Sequence, residues 1–166
     1  MSSLSRPTNP TERDSRKSAQ SMSQLIGFKL DQEDYAIAIR TIQEIILMKP
    51  ITRLPKAPES IEGLINLRGT VIPIVSLRKR FALPARDFDD ETRTIVVNSH
   101  GKTVGLIVDE VTQVMKITTD QIQPVPISVT ASARRYISGL VRLEDRLLIM
   151  LDIDKLFDPN DLDSDA

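Results

Sequence analysis

The 166-residue chain contains no cysteine, which excludes a disulfide framework and any metal held by thiolates. Its single histidine, His100, falls in a predicted hairpin turn, and no Ser or Cys can be placed with a base and an orienting third group as a nucleophile triad requires. Aromatic residues make up only 4% of the chain, too few for the stacking platforms with which small barrels hold single strands. Glycine-rich phosphate loops are missing as well, since Gly63 and Gly69 are separated by a predicted strand. The first apolar residues are scattered among Ser, Arg, Pro and Thr, unlike a secretory signal. No apolar run approaches the ~20 residues of a membrane helix. A net charge of −1 leaves no electrostatic footprint for nucleic acid. With 40% hydrophobic residues the chain has the means to build a core, and a soluble cytoplasmic protein without cofactor or catalysis is expected.

What the chain does have is an internal repeat. Ile61 to Phe81 returns as Ile137 to Phe157, with Gly63 matching Gly139, Leu64 matching Leu140, Ile74 matching Met150 and Phe81 matching Phe157 at a constant offset of 76. Upstream, Tyr35 to Ile46 lies over Val104 to Met115 at an offset of 69. The second unit therefore holds seven more residues, placed between Met115 and Ile137. Two long units of this kind fit two small modules better than a repeat array. The copies differ at one turn: Asn66-Leu67-Arg68-Gly69 in the first, Arg142-Leu143-Glu144-Asp145 in the second.

Residues 1–23 hold three large apolar side chains among Ser, Thr, Arg and Asp, too few to offset the entropy of ordering them; they read as a tail, as does the acidic stretch 158–166. The body is 24–157. Its one strongly polar break, Pro84 to Thr92, divides it into modules of roughly 24–83 and 92–157. Leu25 to Leu30 and Tyr35 to Ile39 flank turn chemistry at Asp31 to Asp34, and Thr94 to Asn98 and Thr103 to Val108 flank Ser99 to Lys102, so each module opens with a hairpin. Ile61 to Leu67 and Val71 to Val75 form another around Arg68-Gly69. Pro73 cannot donate to a ladder, which places its strand at an edge or at a bulge. Ser76 to Phe81 and Asp152 to Phe157 read as short helical turns opened by capping side chains. Four or five short strands per ~60 residues predict an all-β small barrel or sandwich. Val104, Leu106, Val108, Val111, Met115 and the run Leu147 to Leu151 are apolar on both strand faces and predict a core shared between modules.

Among candidate sites, the aspartates of the C-terminus lack the Gly and terminal Glu of a calcium loop. The basic clusters Arg78-Lys79-Arg80 and Arg134-Arg135 read as solvated faces. Protein binding remains. Arg68 is either an exposed turn residue or an interface anchor, the kind of role for which its planar fork is suited. Ile39, Ile42 and Glu44 form a mixed apolar and acidic patch, whose plainer reading is core packing for Ile39 and a solvated rim for Glu44.

The motifs Tyr35-x-Ile-x-Ile-x-x-Ile-Gln-Glu-Ile45, Ile61-x-Gly-Leu-Ile-Asn-Leu-Arg-Gly-x-Val-Ile-Pro-Ile74, Val104-Gly-Leu-Ile-Val-Asp-Glu-Val111 and Ile137-x-Gly-Leu to Phe157 resemble the CheW-like coupling domain of bacterial chemotaxis across nearly the whole body. The resemblance implies two five-stranded SH3-like β-barrel subdomains on a shared core. It implies an adaptor that joins the cytoplasmic tip of a methyl-accepting chemoreceptor to the regulatory domain of a CheA-type histidine kinase, with unlike surfaces able to close into rings. No nucleic acid and no direct membrane insertion are implied. Carried over, the family's kinase contact falls on Ile39 and Glu44, and its receptor-sensitive positions on Ile42, Gly63, Arg68, Gly105 and Val114; Gly63 and Gly105 fit a need for close backbone approach. Ser76 stands where the family often has Asp, and the polar leader is longer than the family's usual lead-in, differences that fit a dedicated system such as one governing twitching or gliding. No receiver domain is read after Phe157, so a standalone coupling protein is expected rather than the fused variant CheV.

Overall fold

Turn chemistry sets the local structure. The computed structural model describes residues 22–157, in the order β1 (Met22–Leu30), β2 (Glu33–Ala38), β3 (Ile42–Leu47), β4 (Ile61–Leu67), β5 (Thr70–Ser76), α1 (Leu77–Arg80), β6 (Arg93–Ser99), β7 (Lys102–Val108), β8 (Glu110–Thr118), β9 (Ile122–Gln123), α2 (Ala131–Arg134), β10 (Ile137–Leu143), β11 (Arg146–Leu151) and α3 (Ile153–Leu156). Three of the two-residue hairpin turns have positive φ at both central residues: Asp31 and Gln32 (50° and 78°), Arg68 and Gly69 (53° and 88°), His100 and Gly101 (52° and 75°). That is the geometry whose twist matches the flanking strands. The turn between β10 and β11 has it at Glu144 alone (37°), in keeping with the loss of glycine from that copy.

The strands form two sheets, one in the order β8-β1-β2-β11-β10-β9 and the other β3-β6-β7-β5-β4. Under the repeat, β1, β2, β8, β10 and β11 are the counterparts of β6, β7, β3, β4 and β5, so the two sheets share one topology. Even the short parallel pairings correspond, Ile74 facing Gly105 in one sheet and Met150 facing Ala36 in the other. The expected division at 83 and 92 does not separate these sheets. Each repeat gives its first hairpin to one sheet and its other three main strands to the other. The cause lies in the joints: Asp109 alone links β7 to β8, too short for a hairpin reversal, which needs about two residues. The chain therefore runs on into the other sheet. A 3₁₀ turn over Ile39–Thr41 makes the same crossing from β2 to β3.

Each sheet is curled by the segment that follows its edge strand. β8 pairs with β1 at one edge of its sheet, and β9, two residues long, pairs with β10 at the other. In the second sheet Thr52 exchanges two 2.8 Å backbone hydrogen bonds with Leu64 of β4. One small core sits in each curl, around Leu25, Val141 and Leu148 in the first and Ile65, Ile72 and Val96 in the second. The largest lies between the sheets, where Phe28, Leu30 and Ile37 meet Ile95, Val97, Leu106, Leu156 and Phe157. The fold is thus mostly β, two curled sheets on a shared core, with few and short helices. Val104, Leu106 and Val108 are fully buried, whereas Val111 and Met115 are half-buried. The run 147–151 is not apolar on two buried faces: Leu148 and Leu151 are buried, but Leu147, next to the turn, is 47% exposed.

One boundary shifts. Met22 and Ser23, expected in the tail, pair with Thr118 and Ile117 of β8; the rest of the expected tails, residues 1–21 and 158–166, lies outside the described residues. The strand of Pro73 is interior, between β4 and β7. Pro73 is tolerated there because the parallel pairing with β7 spans only Ile74–Ser76, and a bulge in β4 lies beside it between Ile61 and Gly63. Both helical turns form as expected: the Ser76 hydroxyl accepts from the Lys79 amide at 3.2 Å and the Asp152 carboxylate from the Asp154 amide at 3.0 Å. Serine thus does the capping work of aspartate at its position.

Candidate partner-binding surface

Two of the singled-out residues meet. The Asn66 side chain accepts the Gly69 amide at 2.8 Å and so braces the β4–β5 turn, while Arg68 stands out from it, 70% exposed at the side chain. Its guanidinium reaches across to β3 and clasps Glu44 with both arms, Nη1 donating to Oε2 at 2.5 Å and Nη2 to Oε1 at 2.6 Å. β3 and β4 are opposite edges of one sheet, so the pair bridges the two edges. The bonds from Arg68 hold the Glu44 carboxyl below its ordinary range, against an opposing push from desolvation, and Glu44 in turn raises Arg68. In the other copy Gln113 and Glu144 occupy these places. The turn that differs between the repeats and the acid that differs between them are one device.

The same sheet also exposes apolar residues. Ile45 and Leu47 lie on the face of β3 opposite to Glu44, 37% and 67% exposed, and Val71, just past the Arg68 turn, is 61% exposed. Sequence reading missed all three. A signal existed at Val71, whose repeat counterpart Leu147 is also exposed.

The remaining predicted residues scatter. Ile39 is half-buried in the crossing turn, and Ile42 is half-buried against the inter-sheet core. Val114 is 56% exposed on β8, in the other sheet from Arg68. Gly63 and Gly105 are buried. A Cβ on Gly63, whose φ is +153°, would collide with the Thr52 carbonyl oxygen, and one on Gly105 would lie 2.5 Å from Ile74 Cδ1 and 2.8 Å from Thr94 Cγ2. Neither glycine presents a surface to a partner; both let strands approach. The single candidate patch Ile39, Ile42 and Glu44 is therefore split by the crossing between sheets.

The basic triplet expected to be a solvated face is committed internally. Arg78 donates to both oxygens of buried Asp109, Nε at 2.8 Å and Nη2 at 2.7 Å, at the joint between the sheets. The Asp31 amide and Arg86 also reach that carboxylate, at 2.9 and 3.2 Å. Burial pushes the Asp109 carboxyl up, but these donors outweigh it and hold the group below its usual value. Lys79 joins Arg53 on Glu62 at 2.9 and 2.7 Å, and burial of Glu62 is likewise outweighed by those two cations. Arg80 donates to the Leu156 carbonyl and stacks 4.8 Å over Tyr136. His100 is an exposed turn residue, as expected, and it donates Nε2–H to the Asp154 carbonyl at 2.7 Å, which tethers α3. Among the described residues no helix is long and apolar enough to cross a membrane, and no three His, Cys, Asp or Glu gather to hold a metal.

Comparison with known proteins agrees with this architecture. The family profile described as "CheW-like domain" matches residues 24–160. The chain is 38% identical over 135 residues to "Chemotaxis protein CheW" of Klebsiella aerogenes, covering 81% of each chain. It is 34% identical over 143 residues to "Chemotaxis protein CheW" of Treponema pallidum, covering 84% of each. Among solved structures, the scaffolding protein TtCheW of Thermoanaerobacter tengcongensis superposes with a TM-score of 0.77 at 31% identity, covering 96% of both chains.

Proposed function

The chain belongs to the CheW-like family of chemotaxis coupling adaptors, and on that premise we propose that it works without catalysis, holding the regulatory domain of a CheA-type histidine kinase and the cytoplasmic tip of a methyl-accepting chemoreceptor in one complex. It acts in the cytoplasm, at the membrane-associated receptor array. The observation that carries the reading is the exposed Arg68–Glu44 clasp, with the exposed Val71 just past its turn. Arg with an apolar neighbour is the composition of an interface anchor, and its absence from the equivalent hairpin removes the scaffold as its sole explanation. Ile39 and Glu44 serve the kinase; Ile42, Arg68 and Val114 serve the receptor, and Gly63 and Gly105 support those contacts through backbone packing.

The test is reconstitution of a CheA-type kinase with receptor fragments and this protein. Wild type raises receptor-controlled kinase activity; Arg68→Glu and Ile39→Glu, both folded, lose receptor coupling and kinase binding respectively. Full control of the kinase by both variants would sink the assignment.

A further inference from the structure

A groove of about 430 Å³ opens beside the core between the sheets, where Phe81 and Leu83, which follow α1, face Tyr35 of β2, Ile149 of β11 and Tyr136 ahead of β10. Its walls are rings. Phe81 stacks on Tyr35 with centroids 5.9 Å apart and 16° between the planes, Phe28 backs that stack at 5.8 Å, and Tyr136 leans on Phe81 at 6.3 Å and 43°. One charged residue, Arg80, lines the groove. Its Nε and Nη2 donate to the Leu156 carbonyl at 3.2 and 3.1 Å, and Nη2 donates to the Tyr136 hydroxyl at 3.1 Å, so its partners among the described residues are neutral. Two donors are left unspent: Nη1 makes no bond among the described residues, and the Tyr136 oxygen, having accepted from Arg80, keeps its own proton to give. A half-buried cation with neutral partners is a site for an anion, because charge taken from water costs free energy until it is paired.

The repeat singles out the same residues. Tyr35, Arg80 and Tyr136 have Val104, Leu156 and Ser60 as counterparts, and Val104 and Leu156 are fully buried. The scaffold is thus built on its other side with neither the cation nor the phenols. We propose that the groove binds a small aromatic carboxylate, its flat body against Phe81 and Tyr35 and its carboxylate on Arg80 Nη1 and the Tyr136 hydroxyl. The volume falls in the range of small-ligand sites, which are mostly apolar with a few converging polar groups. Ring faces favour a flat aromatic body over a chain, and two donors, one of them cationic, suit a carboxylate. At the other end the carboxylates of Glu33 and Asp31 bear on the Tyr35 hydroxyl, which turns an anionic group away from it and toward Arg80. The site lies apart from Arg68, Glu44 and Ile39, and its test needs neither kinase nor receptor.

The test titrates the full chain, followed by its amide NMR signals, with two probes of one shape: 2-naphthoate and the neutral 2-naphthamide. 2-Naphthoate is expected to move the signals of residues 80–83, 136–137 and 149–151 and to bind about tenfold more tightly than 2-naphthamide, the difference a hydrogen bond to charge makes. Both probes meet the same folded protein, so this comparison stands without a variant. Arg80→Gln is expected to remove the preference, and Tyr136→Phe, which keeps the ring and loses one donor, to reduce it about threefold. Equal affinity for the two probes would overturn the proposal, as would shifts confined to other residues or a preference that survives in a folded Arg80→Gln. Tighter binding of laurate at the same signals would give the groove to an aliphatic acid, and binding seen only after removal of residues 158–166 would give it to the acidic tail; either outcome also overturns the proposal.

Discussion

Arg68 and Glu44 join opposite edges of one curled sheet through a two-pronged ion pair, and both are replaced at the matching positions of the other sheet, by Glu144 and Gln113. The pair is exposed, where ion pairs contribute little to stability. A large functional cost with a small stability cost is therefore the expected signature of Arg68→Glu. Because the new carboxylate would face Glu44, the double exchange Glu44→Arg with Arg68→Glu restores the clasp. Binding to kinase and receptor fragments, measured by titration calorimetry beside thermal melts, separates the two roles. If the exchange restores binding, the clasp's geometry matters; if it restores only the melt, the partner reads the charges in place.

Gly63→Ala is expected to fail through folding. Its φ of +153° and the Thr52 carbonyl behind it leave no room for a Cβ, and strain of that kind with loss of the paired Thr52–Leu64 bonds should cost about 2–4 kcal/mol. Urea unfolding measures it. Gly69→Ala provides the contrast: it too has positive φ, 88°, but nothing lies within 4 Å of its Cβ position, so about 1 kcal/mol is expected. Equal losses at the two sites would mean that packing against Thr52 plays no part.

Acid should loosen the joint between the sheets. The Asp109 carboxyl is held below its ordinary value in the fold, so the folded state binds fewer protons than the unfolded one as pH drops through the carboxylate range. Stability from Asp109 is present above the unfolded value of about 4 and is lost as pH falls through the lower folded value. Glu62 acts in the same direction. Asp109→Asn is expected to be less stable at neutral pH, since Arg78 loses its charged partner, and to show a shallower fall in melting temperature between about pH 5 and about pH 2. A variant whose acid limb runs parallel to wild type would remove Asp109 from this account.

How much of this could be read from sequence depends on the range of the interaction. The hairpins were legible because Asp31, Arg68-Gly69 and His100-Gly101 carry their turn geometry locally, and the repeat announced two equivalent units. The exchange of hairpins between sheets was not legible. It rests on parallel pairings three residues long, β5 with β7 and β2 with β11, which leave no pattern in the chain, and on the joint at Asp109, which looks like any polar residue between apolar runs. The pairing of Arg68 with Glu44 was not legible for the same reason: 24 residues part them in sequence. Their joint replacement in the second copy was the available signal. The bonds made by His100 and by the triplet at Arg78 were not legible because their acceptors, backbone carbonyls, Asp109 and Glu62, come from other elements.

Leu106 provides the last test, that of the shared core. It is fully buried among residues of both sheets, with Phe28 and Leu30 from one and Val97 and Val104 from the other. Truncation to alanine removes apolar contacts from both at once and leaves a cavity, a loss of about 2–5 kcal/mol. If the sheets were independent domains joined by a linker, the loss would fall on the second sheet alone, and the first would keep its protection. Because each sheet borrows its first hairpin from the other repeat, neither is complete without the other's chain. Amide exchange in Leu106→Ala is therefore expected to quicken equally in β1 and in β6, with one unfolding transition for both. Faster exchange confined to β6 and β7 would show that the two sheets fold as separate units and that the core between them is a contact rather than a common foundation.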